Sequence, residues 1–207
     1  MLFNSLEYLL FLPIVFALYW GLNKKSLQLQ NVLLLASSYF FYACWDWRFL
    51  FLLMFSTALD YFTGIKMHEA TSQSKKKFWF WLSIIVNLGI LVVFKYYNFF
   101  VSSWIEAWSS VGITMEASTL NIILPVGISF YTFQTLSYTI DVYRKEMQPT
   151  KSFIDFAAFV TFFPQLVAGP IERASHLLPQ FYKNRTFDYQ NAVDGVKLII
   201  WGMFKKV

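Results

Sequence analysis

The chain has 207 residues, of which 57% are hydrophobic and only 14% charged, and it carries 24 Phe, 12 Tyr and 8 Trp. Soluble proteins average about 45–50% apolar and about 25% charged residues, so this chain has too few polar residues to cover a water-soluble globule. That excludes an ordinary cytosolic enzyme and a disordered chain, and it leaves an integral membrane protein. The formal net charge of +5 falls in short loops between apolar segments. This is the topology signal of membrane proteins rather than a nucleic-acid footprint.

The first apolar run, residues 6–22, is read as a retained span. No Lys or Arg precedes it, Glu7 stands where a signal peptide would be basic, and no small-residue cleavage site follows. Further spans are predicted at 29–45, 47–63, 78–101 and 119–140, each near the roughly 17–25 residues needed to cross a bilayer. The second and third are joined by a tight turn at Trp45-Asp46-Trp47-Arg48, with aromatic residues suited to the headgroup level. Two short spans side by side would thin the membrane locally. Lys24 and Lys25, then Lys66, Lys75, Lys76 and Lys77, then Arg144, Lys145 and Lys151 occupy alternate loops, whereas the opposite loops hold Arg48, Glu106 and Glu116. The positive-inside rule therefore puts the N-terminus outside and the Lys-rich loop 64–77 in the cytoplasm.

The sixth apolar stretch, 153–169, contains Pro164. Proline should end a helix near Phe163, leaving a segment of about 16 Å, half of the roughly 30 Å hydrocarbon layer. If it crossed, Arg173, Lys183, Arg185 and Lys197 would lie outside, against the earlier pattern. A re-entrant half-helix resolves both problems, with 164–170 lining an internal cavity, since irregular backbone at membrane depth needs protein or a wet cavity around it. The polar stretch 173–191 is expected at the interface. The run 196–204 starts a last helix, too short to span. The expectation is one membrane domain over 1–207: an all-α multi-span bundle of about five spans, a re-entrant half-helix and an incomplete last helix.

Soluble-enzyme motifs such as G-x-G-x-x-G, H-E-x-x-H and G-x-S-x-G are absent from the sequence. Ionisable and polar residues within spans are the next candidates. Asp60 reads as an interfacial cap, Lys95 as a snorkelling lysine, and Asn87 as a hydrogen bond between helices. Asp141 reads as an end-of-helix residue paired with a nearby base such as Arg144. Gln134, seven residues before Asp141 on the same helix face, fits either packing or cavity lining. His68 and His176, the only histidines, both read as surface residues. Ser175 and His176 are adjacent, which does not supply the facing geometry of a nucleophile and base. With so few histidines and only Cys44, neither a metal site nor an intrachain disulfide is expected.

Several motifs occur together. Met1-Leu2-Phe3-Asn4-Ser5 opens the chain, and Ser37-Ser38-Tyr39-Phe40-Phe41-Tyr42, the 45–49 turn and Phe94-Lys95-Tyr96-Tyr97-Asn98-Phe99-Phe100 follow. More specific are Leu124-Pro125-Val126-Gly127-Ile128-Ser129-Phe130-Tyr131-Thr132-Phe133-Gln134 with Tyr138 and 141–144, and Phe162-Phe163-Pro164-Gln165-Leu166-Val167-Ala168-Gly169-Pro170-Ile171-Glu172-Arg173. Together these resemble the membrane-bound O-acyltransferase (MBOAT) family, in its bacterial alginate O-acetyltransferase branch.

The resemblance implies an inner-membrane enzyme, the N-terminal half of an MBOAT fold. Such an enzyme would carry an acetyl group through a tunnel from a cytoplasmic donor, acetyl-CoA or an acyl carrier, to hydroxyls of alginate or a similar exopolysaccharide. A periplasmic acetylation partner would assist. It implies no bound cofactor. Candidate tunnel-lining residues are Gln134, Pro164, Gln165, Gly169, Pro170, Glu172 and Arg173. The family's catalytic histidine lies in the later half of a chain about twice this long, and neither His68 nor His176 matches its motif. The resemblance therefore assigns no catalytic residue here and implies a C-terminally truncated, inactive chain. The alternatives are a polysaccharide-export or transport subunit, disfavoured because no inverted repeat is visible, and a non-catalytic membrane scaffold.

Overall fold

The computed structural model describes residues 3–23, 26–112, 123–167, 169 and 172–206, with the backbone alone for Lys206. Lys24, Lys25, Glu116, Ala168 and Pro170 lie outside the described residues. All regular structure among the described residues is helical: α1 Leu6–Gly21, α2 Leu27–Glu69, α3 Gln73–Leu91, a π-helical turn Val92–Tyr96, α4 Tyr97–Ser109, α5 Ile128–Arg144, α6 Phe153–Val160, α7 Phe163–Leu166, α8 Ala174–Leu177, a 3-10 turn Leu178–Phe181 and α9 Tyr189–Lys206. Two stretches, Leu27–Glu69 and Gln73–Ser109, are long and apolar enough to cross a membrane. Leu6, Leu9 and Leu10 of α1 and Phe51, Phe55 and Phe62 of α2 are exposed. The outside is thus apolar and much of the inside polar, the inverse of a water-soluble domain.

α2 is broken at Asp46, whose φ of −159° and ψ of 110° are extended. The Asp46 carboxylate accepts from the backbone N–H of Arg48 at 3.0 Å and from its guanidinium at 2.6 Å, so Asp46 caps the second arm. The arms fold back on each other. Asn31, early in the first arm, donates to Asp155 Oδ1 at 2.7 Å, while Tyr61, late in the second, packs on Phe153 with ring centroids 5.3 Å apart. Asp155 and Phe153 share the first turn of α6. Thirty residues of straight helix would span about 45 Å, so one helical turn can meet both positions only if α2 reverses at the predicted 45–48 turn.

The half-helix is real but shorter than expected. α6 stops at Val160, not Phe163. The hydroxyl of Thr161 donates to Ala157 O at 2.7 Å and closes the last turn. Pro164 lies in the first turn of α7, where its missing N–H leaves nothing unpaired. Proline therefore starts the next helix and does not end the previous one. At about 12 Å, α6 is too short to span, and Phe156 to Val160 are fully buried. Its chain returns to the end it came from, because Asn31 donates both to Asp155 and to Phe181 O, at 2.8 Å, beyond the excursion.

The span expected at 119–140 is also corrected. α5 begins at Ile128, because Gly127 before it has φ 77°, while residues 113–122 lie outside the described residues. The helix expected to end at 101 continues to Ser109 through the π-helical turn. α9 begins at Tyr189 rather than 196, since the Asp188 carboxylate accepts from Asn191 N at 3.1 Å. The 173–191 stretch is not merely interfacial: Ala174, Leu177, Leu178 and Phe181 are buried beneath α5 and α6.

The interior is held by side-chain polar groups. Asp60 is 0% exposed, which overturns its reading as an interfacial cap. Ser83 Oγ donates to its Oδ1, and Asn87 Nδ2 donates to both carboxylate oxygens at 2.8 and 3.0 Å. Ser56 Oγ donates to Asn87 Oδ1 at 2.7 Å, and Thr139 Oγ1 lies 3.1 Å from Ser83 Oγ. α2, α3 and α5 are thus joined through one buried carboxylate, and the expected interhelical role of Asn87 is met. Where α2 and α5 approach most closely, Gly64 leaves room for Tyr138, whose hydroxyl would lie 2.8 Å from an added Cβ.

Because Asn87 supplies two bonds to the buried carboxylate, Asn87→Ala should cost about 1–3 kcal/mol. Ser56→Ala, which removes only the outermost donor, should cost less. Thermal unfolding midpoints in detergent check the order; equal midpoints for both variants and the parent would refute it.

Candidate functional site

The most specific motifs meet at the tip of the α6–α7 excursion. Phe163 N donates to Ser38 Oγ at 3.2 Å, and Tyr42 Oη donates to Val126 O at 3.1 Å. Gln134 Nε2 donates to Phe159 O at 3.0 Å. Gly127, in the left-handed region, lies so close to Leu166 O that an added Cβ would collide with it. The irregular backbone at 125–127 is thus held between Leu166 and Tyr42, and the start of α7 is held by Ser38, both Ser38 and Tyr42 lying on the first arm of α2. Non-helical backbone in an apolar surrounding needs such protein partners.

The hydroxyl of Tyr131 and Oε1 of Gln165 are buried with no hydrogen-bond partner among the described residues. Buried polar atoms are nearly always bonded, and Trp20 Nε1, Tyr138 Oη and Asp141 Oδ2 are in the same state. An apolar cavity of about 270 Å³ lies between α1, α2 and the tip, bordered by Leu12, Val15, Tyr19, Leu34, Phe163 and Pro164.

Six of the seven predicted lining residues lie among the described residues. Pro164 borders the apolar cavity, and Gln165 lies beside it with Gly169 against its side chain. Gln134 is 6% exposed and bonded to the α6 carbonyl. Glu172 faces His176 Nδ1 at 3.0 Å on the surface, the His176 side chain being 74% exposed. Arg173, Ser175 and Arg144 all act on Asp141, so the expected basic neighbours are present, without a direct Asp141–Arg144 ion pair among the described residues. Pro170 lies outside the described residues. His68 is exposed, as expected. No group of three or more His, Cys, Asp or Glu that could hold a metal ion occurs among the described residues.

Sequence reasoning missed three features. Ser38, Tyr42 and Tyr131 lie inside motifs that were read as wholes. Lys95, taken as snorkelling, is exposed and also donates to Ser129 Oγ at 3.2 Å from within the π-helical turn, a distortion frequent at functional sites. Arg185, read as interfacial, enters a network at the opposite end. It donates to Asn31 Oδ1 at 2.8 Å and lies over the Tyr19 ring at 5.3 Å. Burial pulls its pKa down, countered by Tyr19 and Asp155. The adjacent polar pair Gln30-Asn31 at the start of an apolar run was the available signal.

These features define a membrane-type helical protein with a broken-helix site inside it. No family model and no solved structure matches the chain. Curated relatives do. The chain is 42% identical over 209 residues to the protein named "Probable alginate O-acetylase AlgI" of Pseudomonas syringae pv. tomato, with all of this chain and 39% of that protein covered. It is 41% identical over 209 residues to its namesake of Pseudomonas aeruginosa, with the same coverage. To the "Peptidoglycan O-acetyltransferase" of Helicobacter pylori it is 34% identical over 236 residues, covering all of this chain and 44% of that protein. The chain thus spans about two-fifths of the length of the curated relatives it matches. Along its whole length it is similar to part of the alginate O-acetylase-like proteins, as its motifs implied.

Gly127→Ala should lower stability by at least about 1–2 kcal/mol from backbone strain alone, with the collision at Leu166 adding to it. Gly89→Ala, in open space, should not. Paired melting curves in detergent check this, and a neutral Gly127→Ala would contradict the close approach.

Proposed function

We propose that the chain is part of a membrane-bound O-acyltransferase that transfers acetyl groups to hydroxyls of an extracytoplasmic polysaccharide, alginate or a related polymer. The observation that carries this reading is the identity of 34–42% along the whole chain to proteins named for acetyl transfer. The convergence of the two most specific motifs at the Gly127–Leu166 contact supports it physically. A re-entrant tip whose Phe163 and Pro164 border an apolar cavity is a suitable wall for a path through a bilayer.

In this reading the chain contributes scaffold and passage. Transfer to a sugar hydroxyl needs a positioned base. His68 and His176 are both exposed and neither borders the tip, so the base lies outside these 207 residues. The acyl donor is cytoplasmic, acetyl-CoA or an acyl carrier, and periplasmic acetylation proteins are the partners. The protein resides in the bacterial inner membrane with its N-terminus outside.

The 207-residue chain, purified in detergent and given radiolabelled acetyl-CoA and de-acetylated alginate, should show no transfer above background. Transfer by this chain would refute the assignment of the base. For topology, Glu172→Cys and Lys145→Cys in a Cys44→Ser background should react with impermeant thiol reagents only when the cytoplasmic side is opened, and Ser109→Cys in intact cells. The reverse pattern would invert the orientation.

A further inference from the structure

At the Lys-rich end, between the second arm of α2, the start of α3 and the end of α5, lies a cavity of about 490 Å³. Met67, His68, Ser72, Lys76, Lys145 and Gln148 line it. No carboxylate is among its lining residues. Lys66 and Glu69, outside it, neutralise each other at 2.8 Å. Lys76 and Lys145 act on each other as like charges across the space, and neither is in an ion pair among the described residues. Lys76 Nζ donates to Tyr143 O at 2.6 Å and lies 4.9 Å from the centre of the Tyr143 ring. One of its three donors is thereby fixed and the charge is held at the cavity wall, with two donors left.

Lys145 is the only non-glycine residue with positive φ among the described residues, at 63°. It caps α5, its N–H bonded to Val142 O at 3.1 Å. Glycine is the ordinary residue at such a cap, and a lysine there is disfavoured. Two like charges held together without a counter-charge are also unfavourable on their own. The second cost falls away when an anion lies between them.

We propose that this cavity is a phosphate-binding site. Lysine serves phosphate as a point charge, Ser72 and Gln148 supply neutral donors, and the volume lies within the range of small-ligand pockets. Met67 and Val142 on its walls suit the organic part of a phosphate ester. The source of the phosphate is either an anionic lipid headgroup or a soluble phosphate ester. The assignment does not depend on the acetyl-transfer reading.

The test measures pyrophosphate binding to the 207-residue chain in detergent by calorimetry, and retention of phosphatidylglycerol against phosphatidylcholine by native mass spectrometry. At least one phosphate probe should bind, and Lys145→Gly and Lys76→Gln should each weaken it about tenfold or more, the loss expected for one charged hydrogen bond. Lys77→Gln, exposed and outside the cavity, should leave it unchanged. Lys145→Gly should melt no lower than the parent without ligand, which separates lost binding from lost folding. Pyrophosphate binding alone assigns a soluble ester, and phosphatidylglycerol retention alone assigns a lipid. Failure of both probes, or equal weakening by Lys77→Gln, would overturn the site.

Discussion

The arrangement depends on the satisfaction of backbone groups wherever a helix is broken inside an apolar surrounding. Lipid offers no hydrogen bonds, so each interruption must find protein partners. At Asp46 the side chain supplies them locally. At the end of α6 the Thr161 hydroxyl and the Gln134 amide take carbonyls, and at the start of α7 Ser38 accepts the Phe163 N–H. Val126 O, in the turn before α5, is taken by Tyr42. Donors and acceptors from α2 and α5 thus hold an excursion that has too few residues to hold itself.

A second set of polar contacts fixes how the long helices pack. Ser56, Asp60 and Thr63 stand at i, i+4 and i+7 on α2, Ser83 and Asn87 at i and i+4 on α3, and Thr135 and Thr139 likewise on α5. In lipid, apolar faces do not prefer one another over acyl chains, so packing follows shape and hydrogen bonding. The three polar stripes meet at Asp60, and the apolar faces turn outward. Asn31 and Arg185 perform a similar task at the Lys-rich end, tying α2 to both limbs of the excursion. Function on such a scaffold follows from the same economy. The tip, held from outside itself, brings Phe163 and Pro164 to the edge of an apolar cavity, and the opposite end gathers basic groups.

Much of this was legible in the chain. The apolar runs, the turn at Asp46, the half-helix and the charge asymmetry follow from composition, length and proline chemistry, which are local. The half-helix was right in kind and wrong in detail, because Pro164 was read as a stop although proline is equally suited to a first turn, and only the Thr161 contact with Ala157 distinguishes the two. Asp60 was misread for a different reason. A carboxylate three residues before the predicted end of a span at 63 resembles a cap in sequence, but α2 runs on to Glu69 and the stripes on α3 and α5 make Asp60 a centre.

The sequence by itself determined a helical, membrane-type protein, its segment order, its basic and acidic ends and its likeness to acetyl-transferring proteins, because hydropathy, charge and motif identity are properties of consecutive residues. The tertiary structure alone decided which polar residues meet. It put Gly127 on Leu166, Asn31 between Asp155 and Phe181, and Lys76 and Lys145 on one cavity. Those pairings depend on helix rotation and on where the chain folds back. Such quantities are set by side chains satisfying one another across elements, at separations that no local pattern encodes.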